Sequence, residues 1–327
     1  MSNRPRTIHG SWNDDADAVT LIDAHHHIWD LDSNCYPWLS DHPEPNFFLG
    51  NYDRLKRNYL ADSYRRDASR HNVLATVHCE AEWDRNDQVG ETAWLTRVHQ
   101  TEGMPSVIVA HAWFHTPNAQ EVLERQAAFP LVRGIRSKPV TALSPDAVTP
   151  GAPGTMQDPR WLEGFSRLER HNLSWDLRVP FWHLQEAAEV AAAFPRTPIV
   201  LNHTGFPWDR SDDGLAAWQR AMETVARQPN VHLKVSEFGL KDQPWDYDSN
   251  RLVVRRALAI FGIERCMFAS NFPVAGLRVD FDTLVRSVSR MLDDFSDSDR
   301  HRFFVSNAAA FYRLQGISPV MPGALGI

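Results

Sequence analysis

The chain has 327 residues, of which 43% are hydrophobic and 23% charged, and its formal net charge is −7. This composition is typical of a globular protein long enough for one large core. Acidic and basic residues are interspersed, and no run approaches the ~20 apolar residues of a membrane span, so neither nucleic acid nor a membrane is an expected partner. Three widely spaced cysteines argue against a disulfide framework. We therefore expect a cytoplasmic protein.

The chain divides into a polar N-terminal segment and a long region of regular alternation. Residues 1–19 lack the apolar core of a secretory signal, and we expect a flexible segment there, followed by a single domain over 20–327. In that domain, short apolar runs alternate with amphipathic stretches, a pattern typical of parallel strand and helix units. Eight strands are predicted near residues 20–25, 73–79, 106–112, 131–136, 173–179, 198–202, 231–236 and 266–270. Helices are predicted near residues 88–102, 118–128, 183–194, 213–228, 250–262, 281–293 and 298–313. This order predicts an α/β protein, a (β/α)8 TIM barrel, whose chemistry lies where the strands end.

The first predicted strand carries the most informative motif of the chain. His25 and His27 are two residues apart, so they project from the same face of a strand and can hold one cation with their imidazole nitrogens. A tag-like histidine run would lie in a polar tail, whereas this one is surrounded by leucine, isoleucine and tryptophan. His26 is expected to point the other way. Asp23 shares the parity of His25 and is expected to orient an imidazole.

Two long connections interrupt the alternation, and long loops at the mouth of a barrel are usual places for substrate specificity. The first, residues 30–58, is rich in aromatic residues, including Trp38, and is expected to form a wall or lid. The second, residues 138–158, is rich in proline and glycine. A plain surface excursion and a gating role both remain open for this second loop.

Polar side chains follow most of the other predicted strands. The candidate site residues among them are His78 and Glu80 at the end of strand two, Arg133 and Arg136 on strand four, Arg178 at the end of strand five with Trp182 and His183 just beyond it, and His203 after strand six. Arg133 and Arg136 are three residues apart and therefore have opposite parity, so only one of them can face the barrel interior. His78 is preferred over His111 and His115 as a site residue, because it lies within a strand.

Taken together, five motifs give the chain a resemblance to a known family. They are Asp23-x-His25-x-His27, Arg133-Gly134-Ile135-Arg136, Asn202-His203-Thr204-Gly205, Phe268-Ala269-Ser270-Asn271-Phe272-Pro273 and Asn307-Ala308-Ala309-Ala310-Phe311-Tyr312. Over residues 20–314 the chain resembles the amidohydrolase superfamily, in particular the branch containing lactonases that open pyrone dicarboxylate, sulfomuconolactone and sugar lactones. The resemblance implies that His25, His27 and His203 approach a divalent metal, usually zinc, while a strand-eight aspartate manages the proton of the attacking water.

The chain departs from that pattern at position 271, where the family has aspartate and this sequence has Asn271. An amide cannot take a proton at neutral pH, so the usual general base is missing. In one explanation, zinc lowers the pKa of bound water to about 7 and Glu80, Glu237 or His183 takes the proton. In a second, hydrolysis is metal-independent: arginines hold an anionic substrate and a histidine is the base. In a third, the protein no longer hydrolyses anything.

These considerations favour a hydrolase that opens a lactone or similar cyclic ester carrying an acidic group. His25, His27, His203 and Asn271, with Glu80 or His183, are the predicted catalytic residues. The predicted substrate-binding residues are His78, Arg133, Arg136, Arg178, Trp182 and Trp38. The arginines suit a carboxylate and the tryptophans suit a ring. A metal-dependent decarboxylase or lyase and a non-catalytic small-molecule binding protein are the alternatives, and a homodimer is compatible with this fold.

Overall fold

The computed structural model describes residues 17–316, so most of the predicted flexible segment lies outside the described residues. Within them, eight parallel strands pair in chain order, and a bridge between His26 and Phe272 joins the last strand region to the first. The predicted (β/α)8 barrel is confirmed. The strands are β1 (Thr20–His26), β2 (Asn72–Cys79), β3 (Val107–Ala110), β4 (Val132–Ile135), β5 (Ser174–Leu177), β6 (Ile199–Leu201), β7 (Val231–Val235) and β8 (Cys266–Phe268).

Helices follow the strands around the outside of the barrel. They are α1 (Ala61–Asp67), α2 (Gly90–Glu102), α3 (Ala119–Ala127), α4 (Pro159–Ser166), α5 (Leu184–Ala193), α6 (Asp212–Ala226), α7 (Tyr247–Phe261), α8 (Phe281–Met291), α9 (Asp297–His301) and α10 (Asn307–Phe311). Short 3₁₀ turns occupy Pro37–Leu39, Asp53–Leu55, Pro145–Ala147, Glu169–His171, Phe181–His183, His203–Gly205, Ile263–Arg265 and Ala275–Leu277. Among the described residues, no helix is both long and apolar enough to cross a membrane.

Local sequence explains where several helices begin. Ser211, Asp246 and Asp280 each accept a hydrogen bond from a backbone N–H in the first turn of α6, α7 and α8, which satisfies a donor that the helix leaves free. The sequence prediction missed α1 and α4 because these helices have only seven and eight residues, too few to show a clear period. The predicted final helix is interrupted by a π-helical segment at Arg302–Ser306.

Both long connections pack against the C-terminal ends of the strands, referred to below as the mouth. In the first loop, the indole N–H of Trp38 donates to the carbonyl of Ala81 after β2, at 2.9 Å. Farther along the same loop, the ring of Phe48 contacts Phe206 after β6, with ring centroids 5.7 Å apart. The loop therefore reaches from one side of the mouth to the other, as a lid or wall does.

Candidate active site

Three histidines from the first and sixth strands meet at the mouth. The Nε2 atoms of His25 and His27 are 3.3 Å apart, and the ring centroids of His25 and His203 are 4.7 Å apart. All three side chains are buried. The alternation of side chains on β1 brings His25 and His27 together, and the turn after β6 adds His203.

The surroundings keep these imidazoles neutral. Burial, assisted by Lys234 near His25 and by Arg178 near His203, holds the pKa of both imidazoles well below the ordinary value. Burial and Arg136 lower the pKa of His27 to about 3. The Nδ1 atom of His27 lies 2.7 Å from the carbonyl of Cys79, which can only accept, so Nδ1 carries the proton and Nε2 presents a lone pair.

The amide of Asn271 faces that lone pair. Its Oδ1 atom is 3.2 Å from Nε2 of His27, while its Nδ2 atom donates to the carboxylate of Glu237. Two acceptor atoms thus face each other in a buried space, an arrangement that a cation or the hydrogen of a bound water satisfies. Burial raises the pKa of Glu237 to about 7, so this carboxyl group titrates near neutrality.

The spacing of His25 and His27 suits a divalent metal such as zinc. Two nitrogens bound to one tetrahedral zinc at its usual bond lengths lie about 3.3 Å apart, and the two Nε2 atoms of His25 and His27 have a separation of 3.3 Å. Nδ1 of His203 lies 3.1 Å from the Ser236 hydroxyl, and this contact orients the His203 ring. His25 and His27 are therefore the residues whose spacing suits a metal, and His203, whose ring lies beside that of His25, is the third residue that would hold it.

A second group of possible ligands lies deeper in the barrel but is already engaged. His25, Cys79 and Asp176 place donor atoms within 4.8 Å of one another. The Asp176 carboxylate is paired with Lys234, and burial raises the pKa of the Cys79 thiol to about 12, so the thiol is neutral. A cation there would have to displace the Lys234 ammonium. The pairing with Lys234 and the neutral thiol therefore disfavour a metal among these three residues.

Lys234, Asp176 and Tyr312 form a buried polar chain beneath the histidines. Lys234 pairs with Asp176 and approaches Nδ1 of His25 at 3.4 Å, and the Tyr312 hydroxyl donates to Asp176 at 3.0 Å. Sequence reasoning missed the roles of Asp176 and Tyr312. The only signal for Asp176 was its position two residues before Arg178, on the same side of β5.

Three strand-end residues have left-handed backbone conformations. His203, Glu237 and Asn271, after β6, β7 and β8, have φ angles of 58°, 52° and 55°. Such conformations are uncommon for residues other than glycine and cost roughly 1–3 kcal/mol each. The surrounding structure maintains this strain where the three side chains approach the mouth, a clustering typical of functional sites.

Glu80 is the anionic centre of a group of cations. Arg136 contacts its carboxylate at 2.6 Å and Arg85 at 2.9 Å, and Lys138 lies within 3.9 Å. Although burial opposes the charge, Arg136 and Arg85 hold the pKa of Glu80 well below its usual range. His111, which the sequence ranked below His78, is buried with Nδ1 4.0 Å from this carboxylate. Glu80 therefore positions Arg136, and its low pKa makes it a poor base.

Arg178 is a cation of the site that could bind a ligand. Its guanidinium lies 5.6 Å from the ring centroid of Phe48 and 5.1 Å from that of Phe206, and within residues 17–316 it forms no hydrogen bond or ion pair. Burial lowers its pKa to about 10, which still leaves it charged at neutral pH. A planar cation held against aromatic rings is suited to a carboxylate ligand.

Arg133 lies away from the site, so its predicted role in substrate binding was wrong. His78, in contrast, lies next to the site, with its ring centroid 6.0 Å from that of His27, and its role in substrate binding stays a prediction. The guanidinium of Arg133 donates to the carbonyls of Pro130 and Val132, because its parity on β4 is opposite to that of Arg136. Cys79 faces the barrel interior, so His78 faces outward, where its ring contacts that of His26. The strand ends at Cys79, and the alternation that linked His78 to Glu80 does not continue.

His183 and Trp182 anchor the second long loop. Nε2 of His183 accepts from the backbone N–H of Ala142 at 2.8 Å, so the proton lies on Nδ1, which faces Glu186 at 3.1 Å. The indole N–H of Trp182 donates to the carbonyl of Ala142. Both nitrogens of His183 are engaged, and its proposed role as a base is not supported by this geometry.

Asp23 does not orient an imidazole, contrary to the expectation from parity. Its carboxylate accepts from the backbone and hydroxyl of Ser270, at 2.8 and 2.6 Å, and from the Tyr64 hydroxyl at 2.9 Å. A shift in strand register between Asp23 and His26 breaks the regular alternation. Asp23 instead fixes the junction of β1 with the segment after β8.

Comparison with known proteins places the chain in a family. Residues 22–314 match the family model described as amidohydrolase, and the chain belongs to this family. The prediction of an amidohydrolase-type hydrolase is confirmed.

Two relatives and one solved structure are similar to this chain over most of their length. Uncharacterized protein y4mH of Sinorhizobium fredii (strain NBRC 101917 / NGR234) is 37% identical over 302 residues, which cover 90% of this chain and 99% of the relative. L-fucono-1,5-lactonase of Burkholderia multivorans (strain ATCC 17616 / 249) is 25% identical over 306 residues, 90% of this chain and 96% of the relative. A crystal structure of an amidohydrolase from Burkholderia multivorans with bound zinc superposes with a TM-score of 0.74 at 23% identity, covering 90% of this chain and 100% of the other.

Proposed function

We propose that the protein opens a lactone that carries an acidic group, by attack of water at the mouth of the barrel. The observation that carries this proposal is the juxtaposition of three neutral imidazoles, His25, His27 and His203, with the unpaired guanidinium of Arg178. The lactonase relative from Burkholderia multivorans supports the same reaction class.

The charges around the mouth favour an anionic substrate. Arg85, Arg136 and Lys138 form ion pairs with Glu80 or Glu82, whereas Arg178 forms none among the described residues and senses Glu237 only through its charge. The excess of positive charge is concentrated at Arg178, which can bind a substrate carboxylate through two parallel hydrogen bonds. This binding also favours the transition state, in which negative charge grows on the carbonyl oxygen.

The aromatic lining favours a ring-shaped substrate. The rings of Phe48, Phe206 and Trp208 lie together beside Arg178, with centroids 4.7 Å apart for Phe206 and Trp208. A flat lactone ring can lie against these side chains while its carboxylate reaches Arg178. The first long loop shields the same space from bulk water.

We also propose that His25, His27 and His203 hold a divalent metal, with zinc as the first candidate. The spacing of the imidazole nitrogens and the zinc in the related Burkholderia structure support this choice. A bound zinc would lower the pKa of water to about 7 and polarise the lactone carbonyl. The protein itself orients the rings, through Cys79 for His27 and Ser236 for His203.

The test is a reaction in isotopically labelled water with two probes, L-fucono-1,5-lactone and the lactone 2-pyrone-4,6-dicarboxylate. We expect ring opening with label in the new carboxylate, and a kcat/KM about tenfold or more higher for the probe bearing carboxylates, because only that probe can pair with Arg178. Release of carbon dioxide, or recovery of both probes unchanged, would overturn the proposal. Equal turnover of the two probes would contradict the part of the proposal that requires an acidic group on the substrate.

A further inference from the structure

Hydrolysis as proposed above needs a general base, and Asn271 cannot be that base. The identification of another residue as the base rests on the proposed function. The sequence left Glu80, Glu237 and His183 open for this role. Glu80 is bound by Arg136 and Arg85, and His183 uses both ring nitrogens in the protein. Of these three residues, only Glu237 forms neither an ion pair nor a hydrogen bond to the second long loop.

Glu237 is placed at the site by its own strand. It follows β7 at a left-handed φ of 52°, and its side chain is buried. Its carboxylate accepts a hydrogen bond from Nδ2 of Asn271, whose Oδ1 lies 3.2 Å from Nε2 of His27. A single amide group therefore separates the carboxylate from the histidine nitrogen where a reacting water is expected.

We propose that Glu237 is the general base for the attacking water and that Asn271 is a positioning residue that holds its carboxylate. In the family pattern the carboxylate follows strand eight. In this chain the carboxylate of Glu237 follows strand seven, and strand eight is followed by the amide of Asn271. Asn271 fixes one carboxylate oxygen, and the carboxylate, which also accepts from the backbone N–H of Gly239, keeps lone pairs for the water.

The step balances without any additional reactant. The water oxygen forms a bond to the lactone carbonyl carbon, and the water proton moves to the Glu237 carboxylate. The ring C–O bond then breaks, and its electron pair stays on the departing oxygen. That oxygen takes the proton back from Glu237, which leaves a hydroxy acid and restores the carboxylate.

The charges around Glu237 suit this exchange. Burial is the main influence on its pKa and raises it to about 7, while Asn271 and the backbone N–H of Gly239 oppose the rise by hydrogen bonding. Arg178 and Arg278 lower the pKa more weakly, through charge alone. A base that titrates near the working pH can accept and return a proton with little cost in either direction.

The decisive variant is Glu237→Gln, which preserves size and the ability to pair with Asn271. We expect kcat for the 2-pyrone-4,6-dicarboxylate probe to fall about 10²–10⁴-fold, the usual contribution of a general base, with KM changed by less than about threefold. Glu223→Gln, on the exposed face of α6, is the matched control and should retain full activity. In the Glu237→Gln background, Asn271→Asp should recover part of kcat by restoring a carboxylate on strand eight.

A spectroscopic measurement tests the same group without turnover. The infrared spectrum of the wild type minus that of Glu237→Gln should show a buried carboxyl band that disappears as the pH rises through about 7. The band of Glu91, whose pKa burial raises to about 8, cancels because both proteins contain it. A Glu237→Gln enzyme with unchanged kcat, while His27→Ala abolishes turnover, would overturn the role of Glu237 and leave the lactonase proposal standing. A wild type that opens neither probe would overturn the lactonase proposal instead, and the absence of the carboxyl band would overturn the assignment of Glu237 independently.

Discussion

Lys234 and Asp176 form an ion pair beneath the histidines, and neither side chain is reached by solvent. The pair links β7 to β5. Its Lys234 ammonium approaches His25 on β1, and its Asp176 carboxylate accepts a hydrogen bond from the Tyr312 hydroxyl, which follows α10. Elements separated by more than a hundred residues thus meet at one buried charge pair. The pair fixes the interior against which the site histidines pack.

We expect Asp176→Asn to destabilise the protein by about 3–5 kcal/mol, because it leaves the Lys234 ammonium buried without a counter-charge. The measurement is the free energy of unfolding from urea denaturation. Asp294→Asn is the control, since it removes the partner of Arg255 at the surface and should cost less than about 1 kcal/mol. Equal losses in the two variants would contradict a structural role for the buried pair.

Replacement of Arg178 should affect substrate binding more than the chemical step. We expect Arg178→Ala to raise KM for 2-pyrone-4,6-dicarboxylate about 10- to 100-fold, because a charge-assisted pair with the carboxylate is lost. Steady-state kinetics on both probes separates this effect from a general loss of activity. Arg133→Ala is the matched control and should leave KM unchanged, since its guanidinium lies outside the barrel.

Removal of a single imidazole should abolish metal binding at the mouth. We expect the wild type, reconstituted with zinc and dialysed, to retain about one zinc per chain by elemental analysis, and His25→Ala to retain far less. His99→Ala is the control, because His99 lies on α2 away from the three histidines. Wild-type protein that keeps no stoichiometric metal would contradict the metal proposal and favour metal-independent hydrolysis.

The raised pKa of Glu237 has a consequence for stability. The pKa is about 7 in the folded protein against an ordinary value of 4.5, so between these values the folded state binds more protons than the unfolded state. Glu237 therefore makes folding less favourable as pH rises through this window, and the loss persists above it. Unfolding measured at about pH 5 and about pH 8 should show Glu237→Gln gaining stability relative to the wild type at the higher pH. A pH-independent difference between the two proteins would contradict the raised pKa.

The barrel and the three central histidines were predictable because they depend on local pattern. Alternating side chains identify His25 and His27 as one pair, and His203 stands out because it ends a strand before a glycine. Parity also restricted Arg133 and Arg136 to opposite faces. It failed for Asp23 and His78, where a register shift and a strand end break the alternation.

Long-range geometry accounts for what the sequence did not indicate. Asp176 meets Lys234 and Tyr312 only because the barrel closes, and no local spacing connects residues so far apart. The left-handed backbone at Glu237 and Asn271 depends on the surrounding structure, since neither residue type requires it. From the sequence, Glu237 was one of three possible bases. The contacts of Glu80 and His183 in the structure argue against the other two.

The variant Asn271→Asp tests whether Asn271 is an adaptation or a loss of function. In the wild type, the amide donates to Glu237, whereas an aspartate at this position would place a second carboxylate against it. Two carboxylates in contact cannot both ionise easily, so they would share a proton and weaken each other as bases. We therefore expect kcat/KM for lactone opening not to rise above the wild-type value in Asn271→Asp, whereas in the Glu237→Gln background the same substitution should recover part of the lost activity. A large increase in the single variant would mean that the native site is impaired, and that Glu237 has not taken over the work of the strand-eight aspartate.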